Sequence, residues 1–366
     1  MSKYLYLISH PAHFHMFKFS LKELEEKGHE VIVVIRPKDI LEQLCINYGL
    51  KYIKIKNRPK KYGIVGLALA LINKDFEMLR IINKHKPDLL IASDGSVARV
   101  GFIKGIPSFE FSEDDAKAIK LYAITSYTFF TKIISPRVVD AWLWTKKKIA
   151  YDGYQKLAYL HPHQFSPSLE IKDKYIDVEK YFILRFSALD AYHDLGIKGF
   201  DETLIMNIIT RLTAYGKVYI SSEKPLTPNL QMYALNINPL DIHHVLAFAT
   251  MLIGDSQSMS GESALLGVPS IRYSSFVGKL SVLEELEHKY GLTFGFKPGN
   301  ADEMLQKIDD ILRIEDIKKE FSIRREKMLA DKIDVTAFYV WFIENYPESA
   351  KQVKNYRTNY QLPTTN

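Results

Sequence analysis

The chain has 366 residues, 47% of them hydrophobic and 25% charged, with a formal net charge of +6. That balance is ordinary for a soluble globular protein and excludes collagen-like, low-complexity and disordered classes. The single cysteine, Cys45, excludes an internal disulfide and suits a reducing cytoplasm.

The length predicts two domains, each large enough for its own core. Ser2 to Ile8 is too short for a signal peptide and is interrupted by His10 and Pro11. Tyr4 to Ile8 reads as a first strand and Phe14 to Lys27 as an amphipathic helix with Phe17, Leu21 and Leu24 on one face, stopped by Gly28. Glu30 to Ile35 is a second strand, Pro37 to Tyr48 a helix closed by Gly49, and Tyr52 to Ile55 a third strand.

Lys51, Lys54, Lys56, Arg58, Lys60 and Lys61 then precede the longest apolar run, Ile64 to Ile72. That run falls well short of the roughly 20 residues a spanning helix needs. Basic residues beside an apolar run fit peripheral contact with the cytoplasmic face of the inner membrane; an alternating strand followed by an ordinary core helix accounts for the same residues. A helix over Phe76 to His85 leads through Pro87 to a fourth strand, Leu89 to Ala92. The strand–helix alternation predicts a doubly wound parallel sheet whose loops after the strands gather at one edge.

Two loops on that edge carry chemistry: Ser9 to His15, with His10, His13 and His15, and Ser93 to Ser96, with Asp94. Asp94, Ser96, Gly105 and Pro107 echo the order Asp255, Gln257, Gly267 and Pro269 of the second half, a weak internal repeat. Tyr122, Tyr127, Phe129, Phe130, Trp142 and Trp144 form an aromatic region read first as core packing and second as an acceptor-binding surface. Leu160 to Asp177, with His161, Pro162, His163 and Pro167, is the expected linker.

The second half restarts the rhythm. Tyr181 to Leu184 is a strand ending at Arg185; a helix from Asp201 to Tyr215 leads to the strand Lys217 to Ile220, followed by Ser221, Ser222 and Glu223. Asp241 opens a helix carrying His243, and Thr250 to Ile253 ends at Gly254, Asp255, Ser256, Gln257 and Ser258. A helix beginning there presents amide groups and partial positive charge, which suits a diphosphate. Glu262, one turn in, is placed for a ribose diol. A plain N-cap at Ser258 and a dipole-favoured acid at Glu262 explain the same residues. Further helices are expected over Leu280–Tyr290, Ala301–Leu312, Ile317–Leu329 and Val335–Tyr346, with a polar tail after Pro347.

With these segments in hand, the chain resembles an uncharacterised domain family of the glycosyltransferase-B (GT-B) fold. That family is related to the hydrolysing UDP-GlcNAc 2-epimerases and to the lipid-linked GlcNAc transferase of peptidoglycan synthesis. The matching residues are His10 to His15, Arg185 to Ala188 with His193 and Asp194, and Ser222 with Glu223. His243, Gly254 to Glu262, Leu266 to Pro269 and the approach to Arg272 complete the set.

The resemblance implies an α/β chain of two facing Rossmann-like domains with a central cleft, residues 1–165 on the acceptor side and 166–346 on the nucleotide-sugar side. It implies a nucleotide-sugar donor held by Arg185, Ser222, Glu223, His243, Asp255, Ser256, Gln257, Ser258 and Glu262. The double glycine of the epimerase phosphate turn is replaced here by Gln257 and Ser258. The expected base for an acceptor hydroxyl is His10, with His13 as substitute. His15, Asp94, Ser96, His193, Asp194 and Arg272 are secondary candidates, and Glu110, Glu113 and Asp114 are further acceptor-side acids.

No metal, cofactor or nucleic-acid partner is expected, and the location is cytoplasmic. The expected reaction is sugar transfer to a glycan or lipid-linked acceptor in surface-polysaccharide or glycolipid assembly. The alternatives are a hydrolysing 2-epimerase and a non-catalytic nucleotide-sugar-binding scaffold.

Overall fold

The computed structural model describes residues 1–55, 63–187 and 200–355. The chain divides into two compact units, Met1–Gln164 together with Lys332–Asn366, and Phe165–Asp331.

The first unit holds strands β1 (Lys3–Ile8), β2 (Glu30–Ile35), β3 (Ile53–Lys54), β4 (Leu89–Ala92), β5 (Ser108–Phe111), β6 (Lys132–Pro136) and β7 (Lys148–Tyr151). They pair in parallel in the order β3-β2-β1-β4-β5-β6-β7. Its helices are α1 (Pro11–Glu26), α2 (Leu41–Tyr48), α3 (Gly63–His85), α4 (Gly95–Lys104), α5 (Lys120–Ser126) and α6 (Leu157–Leu160). A parallel sheet is covered on both faces, so its strands are apolar without alternation; Tyr4 to Ile8 of β1 are all buried. Helix α1 meets that sheet through Phe14, Phe17, Leu21 and Leu24, spaced by three and four residues and all buried. Each such side chain contributes about 1.5–3 kcal/mol by leaving water.

The second unit holds α7 (Leu169–Asp173), β8 (Tyr181–Phe186), α8 (Glu202–Thr213), β9 (Lys217–Ser222), α9 (Ile242–Phe248), β10 (Met251–Gly254) and α10 (Gln257–Leu265). It continues through β11 (Ser270–Tyr273), α11 (Ser281–His288), β12 (Thr293–Phe296), α12 (Ala301–Leu312) and α13 (Ile317–Ala330). The strands are again parallel, in the order β12-β11-β10-β8-β9. Helix α8 begins where the Asp201 carboxylate accepts a hydrogen bond from the Leu204 amide, and it buries Ile205, Ile208, Ile209 and Leu212.

The chain then returns to the first unit as α14 (Val335–Glu344) and α15 (Glu348–Asn355). The sequence places 335–346 in the second domain and expects a polar tail after Pro347; in the structure 335–346 belong to the first unit and Glu348–Asn355 are helical, while residues 356–366 lie outside the described ones. Helix α14 is too apolar to serve as one face of a surface helix. It buries Val335, Phe338, Tyr339, Phe342 and Ile343, packing on α1 and α6. Phe342 and Tyr339 also meet Phe109 and Phe111 of β5, at ring separations of 5.2 and 4.6 Å. The expected linker contains α7, and the aromatic region of residues 122–144 contains β6, which the density of aromatic residues obscured. Lys56, Arg58, Lys60 and Lys61 of the basic segment lie outside the described residues.

Candidate functional site

In each sheet the chain starts in the middle and builds outward in both directions, so two neighbouring strands send their following loops opposite ways. Ligands of open α/β sheets bind at that point, beyond the carboxyl ends of the strands. The second unit has it between β8 and β10, the first between β1 and β4.

At the end of β10, Gly254 pairs with Arg185 of β8 on one side and Arg272 of β11 on the other. A Cβ on Gly254 would lie 2.0 Å from the Arg185 carbonyl oxygen, so only glycine lets these strands approach. Asp255 follows and ties the two loops together: its Oδ1 accepts from the Ser187 amide at 2.8 Å and from the Ser187 hydroxyl at 2.9 Å. Ser256 is the N-cap of α10, its hydroxyl accepting from the Met259 amide at 3.3 Å. Gln257 and Ser258 therefore stand in the first turn, where amide groups have no intrahelical acceptor.

Arg185 donates to the Ser221 hydroxyl at 3.0 Å and pairs with Glu223 at 2.5 Å. Its buried Nε has no hydrogen-bond partner among the described residues. Ser222 accepts from the Lys224 amide and shapes the turn that carries Glu223. A guanidinium and a helix N-terminus thus sit at adjacent strand ends.

Behind that edge, two candidates are joined to each other. Glu262 and His243 are both buried, with Oε1 and Nε2 3.4 Å apart. Arg272 is fully buried, pairing with Glu287 at 2.6 Å and donating to the Gln257 side-chain oxygen at 3.4 Å. Gln257 in turn donates to the Asp255 carbonyl. Arg272 holds the turn from below. His193 and Asp194 lie outside the described residues.

In the first unit, His10 is the N-cap of α1, and its Nδ1 accepts from the Ala12 amide at 3.2 Å. That lone pair is committed, so a neutral His10 carries its proton on Nε2 and is a donor rather than a base. Burial and the nearby Lys38 ammonium lower its pKa. His13, one turn on, is pushed down to about 3 by burial and by His10, so its ring is neutral. Its buried Nδ1 has no hydrogen-bond partner among the described residues. His15 packs in the core between Phe14 and Tyr159.

Asp94, at the end of β4, caps α4 by accepting from the Ser96 amide and hydroxyl at 2.9 and 2.6 Å, and it pairs with Arg36 from the end of β2. Burial alone would raise its pKa; Arg36 and the two Ser96 bonds outweigh it and hold the carboxyl below its usual range.

A pocket of about 250 Å³ opens beside these residues, lined by His13, Ser93, Glu110, Glu113, Asp114 and Tyr122 among others. Burial holds the Glu110 carboxyl well above its usual range, although the Tyr122 hydroxyl donates to it at 2.9 Å. Glu113 is paired with Lys156. One pocket therefore presents together a carboxyl whose pKa burial raises and an imidazole whose pKa burial lowers. From sequence Glu110 is only one acid among several, since burial is what separates it from its neighbours.

Elsewhere in the first unit, His161, His163 and Asp334 lie together, their candidate ligand atoms within 4.8 Å. His163 approaches Asp334 at 3.0 Å, and His161 Nδ1 accepts from the His163 amide.

Two parallel α/β sheets of this construction define a two-domain Rossmann-like protein of the GT-B fold. The chain belongs to a family described as "Protein of unknown function (DUF354)", whose profile matches residues 4–290. No curated protein sequence matches it significantly.

Among solved structures, it is similar to the UDP co-structure of MnaA from S. aureus, with a TM-score of 0.67, 14% identity and coverage of 96% of this chain and 98% of that one. It is also similar to the UDP-GlcNAc 2-epimerase of Neisseria meningitidis bound to UDP-GlcNAc (TM-score 0.63, 12% identity, 96% and 100% covered). A third is the spinosyn rhamnosyltransferase SpnG complexed with thymidine diphosphate (TM-score 0.64, 14% identity, 94% and 100% covered).

Proposed function

We propose that this protein is a glycosyltransferase that moves a sugar from a nucleotide-sugar donor, such as a UDP-sugar, to an acceptor in surface-polysaccharide or glycolipid assembly on the cytoplasmic side. The observation that carries the reading is Arg185 at the end of β8 and the N-terminus of α10 after the neighbouring strand β10, at the switch point of the second sheet. Both favour a diphosphate, and both stabilise it more strongly as it leaves with a growing charge. The diphosphate-bearing neighbours of the same fold support this.

In this scheme Ser256, Gln257 and Ser258 offer first-turn groups to the phosphates, Asp255 and Ser222 fix the loops, and Glu262, braced by His243, takes the ribose diol. The acceptor oxygen bonds to the sugar carbon as the bond from that carbon to the diphosphate breaks, and the hydroxyl proton passes to a first-unit histidine. His13 suits this better than His10, because its Nδ1 lone pair is not spent on a helix cap. Burial makes it a weak base, which negative charge developing nearby would strengthen. No metal is required in this scheme.

The test is calorimetric titration with UDP, GDP, CMP, dTDP and their sugar conjugates. Arg185→Ala should weaken the binding nucleotide by about ten- to a hundredfold, the scale of a lost charge-assisted bond. Unchanged affinity in both Arg185→Ala and Glu262→Ala would overturn the donor site.

A second reading, a hydrolysing nucleotide-sugar 2-epimerase, draws support from one pocket that joins Glu110, its carboxyl pKa raised by burial, and His13, its imidazole pKa lowered by burial, since that reaction needs acid and base on the sugar and no acceptor. Release of free sugar with UDP in the absence of acceptor would select it. Donor binding without turnover in a cell extract would select the scaffold alternative.

A further inference from the structure

Helices α3, α4 and α5 of the first unit form a continuous run, α3 packed on α4 and α4 on α5. Their inward side is an ordinary core: Met78 and Ile82 of α3 and Val97 and Val100 of α4 are buried together. The outward side is apolar too. On α3, Leu69, Ile72 and Phe76 recur at helical spacing and are all exposed. On α4, Phe102 and Ile103 are 66% and 74% exposed, and on α5 Leu121 is 71% exposed with Ile124 one turn on. Leu143, in the 3-10 turn Trp142–Lys147, is 68% exposed. Monomeric soluble proteins rarely leave so many large apolar side chains on one set of neighbouring helices unless something covers them.

What covers them is indicated by the charges around them. Arg80 and Lys84 continue the α3 stripe beyond Phe76, Lys104 follows Ile103, and Lys146 lies in the turn with Leu143; all four are exposed. Lys120 stands 5.7 Å over the Trp142 ring. An apolar centre, a cationic rim and an indole at the border match the layers of an anionic bilayer surface, where acyl chains, headgroups and phosphates meet the protein at increasing height. No helix among the described residues is long and apolar enough to cross a membrane, so this contact lies on the surface.

The same helix that offers Leu121 and Ile124 outward sends Tyr122 to Glu110 in the pocket, and Ile119 just before it lines that pocket. Helix α5 thus has one face towards the exposed surface and one towards the pocket.

We propose that the α3–α4–α5 face docks on an anionic lipid bilayer and that the acceptor is a membrane-borne, lipid-linked molecule reached across α5. The second half of this statement rests on the sugar-transfer reading; the first does not.

The experiment is co-sedimentation of the full chain with vesicles of phosphatidylcholine alone or mixed with phosphatidylglycerol, with nucleotide titration run separately. The expected result is binding to the anionic vesicles that weakens as salt rises from about 0.1 M to 1 M. Phe102→Ser, Ile103→Ser and Leu121→Ser combined should lower partitioning about tenfold or more. Melting temperature and nucleotide affinity should be retained, and Ile323→Ser, an exposed apolar residue of the second unit, should have no effect. Should the triple variant fail to fold, Lys104→Glu with Lys146→Glu should give the same loss.

Absence of binding to anionic vesicles, or binding untouched by both sets of substitutions, would overturn the proposal. So would concentration-dependent dimerisation, relieved by the same substitutions, without lipid binding. Loss of nucleotide binding with vesicle binding intact would count against the donor site alone.

Discussion

Gly254→Ala tests whether the approach of β8 and β10 builds the phosphate-side geometry. The added methyl would start 2.0 Å from the Arg185 carbonyl oxygen and 2.9 Å from its carbon, and both atoms are backbone. No rotamer change can relieve that contact. The strands must part by about 1 Å to reach the closest separations real side chains adopt, and overpacking of this kind costs about 1–3 kcal/mol. Parting them also weakens the bond from the Asp255 amide to the Arg185 carbonyl, 3.2 Å long, worth about 1 kcal/mol more. The sum is about 2–4 kcal/mol, or a fall in Tm of roughly 4–16 °C for a unit of this size.

Gly278→Ala is the matched control. Its φ of 84° strains alanine, yet nothing lies within 4 Å of the new carbon, so the expected cost is only about 1 kcal/mol. Thermal and denaturant unfolding read the stability, and nucleotide titration reads the site, since Arg185 and Asp255 move with the strands. If Gly254→Ala melts like the control and binds nucleotide like the wild type, the close approach does not hold the site together.

Three further outcomes follow from the same contacts. Glu110→Gln should stabilise the protein at neutral pH: the folded pKa is raised above the unfolded one, so the native carboxyl is favoured below the unfolded pKa of about 4.5 and its benefit is lost as pH rises, by up to about 1.4 kcal/mol per pH unit. The gain should vanish near pH 4 and grow towards pH 8 in paired melting curves; a pH-independent difference would contradict it. His13→Asn should act in the opposite window, because a pKa lowered to about 3 makes the wild type lose stability as pH falls below about 6.5; the variant's melting point should change less between pH 6.5 and 4. Glu223→Gln should tighten nucleotide binding severalfold in calorimetry, since the carboxylate competes for the Arg185 guanidinium 2.5 Å away; weaker binding would mean that Glu223 itself contacts the ligand.

How far the sequence could be read depended on whether a signal was local. The first four strands and the Gly254–Pro269 turn were legible because an apolar run, a capping residue and a stopping glycine are adjacent in the chain, and β10 with α10 obeys that pattern. Strands β6, β7 and β12 were not, since four or five residues within aromatic or mixed stretches carry no period of their own; tertiary pairing makes them strands. The return of α14 to the first unit was equally hidden. Its composition announces deep burial, but only the rings of Phe109 and Phe111 say where.

The same division runs through the candidate site and decides which of its residues a sequence can rank. Histidines, aspartates and arginines at strand ends could be named from the loops alone, whereas their chemical state could not. His10 and His13 are alike on paper, and a single amide, that of Ala12, takes the lone pair of one and leaves the other. Glu110, Glu113 and Asp114 are likewise one acidic stretch in sequence. In the fold Glu113 is neutralised by Lys156, while Glu110 is buried against a phenol and its carboxyl is pushed above its usual range. Composition supplied the acids and bases of the pocket; burial and partner choice decide which of them can give or take a proton near neutral pH. For that reason Glu110→Gln and His13→Asn, which leave size and packing nearly intact, separate the chemistry of the pocket from its construction more cleanly than any deletion to alanine.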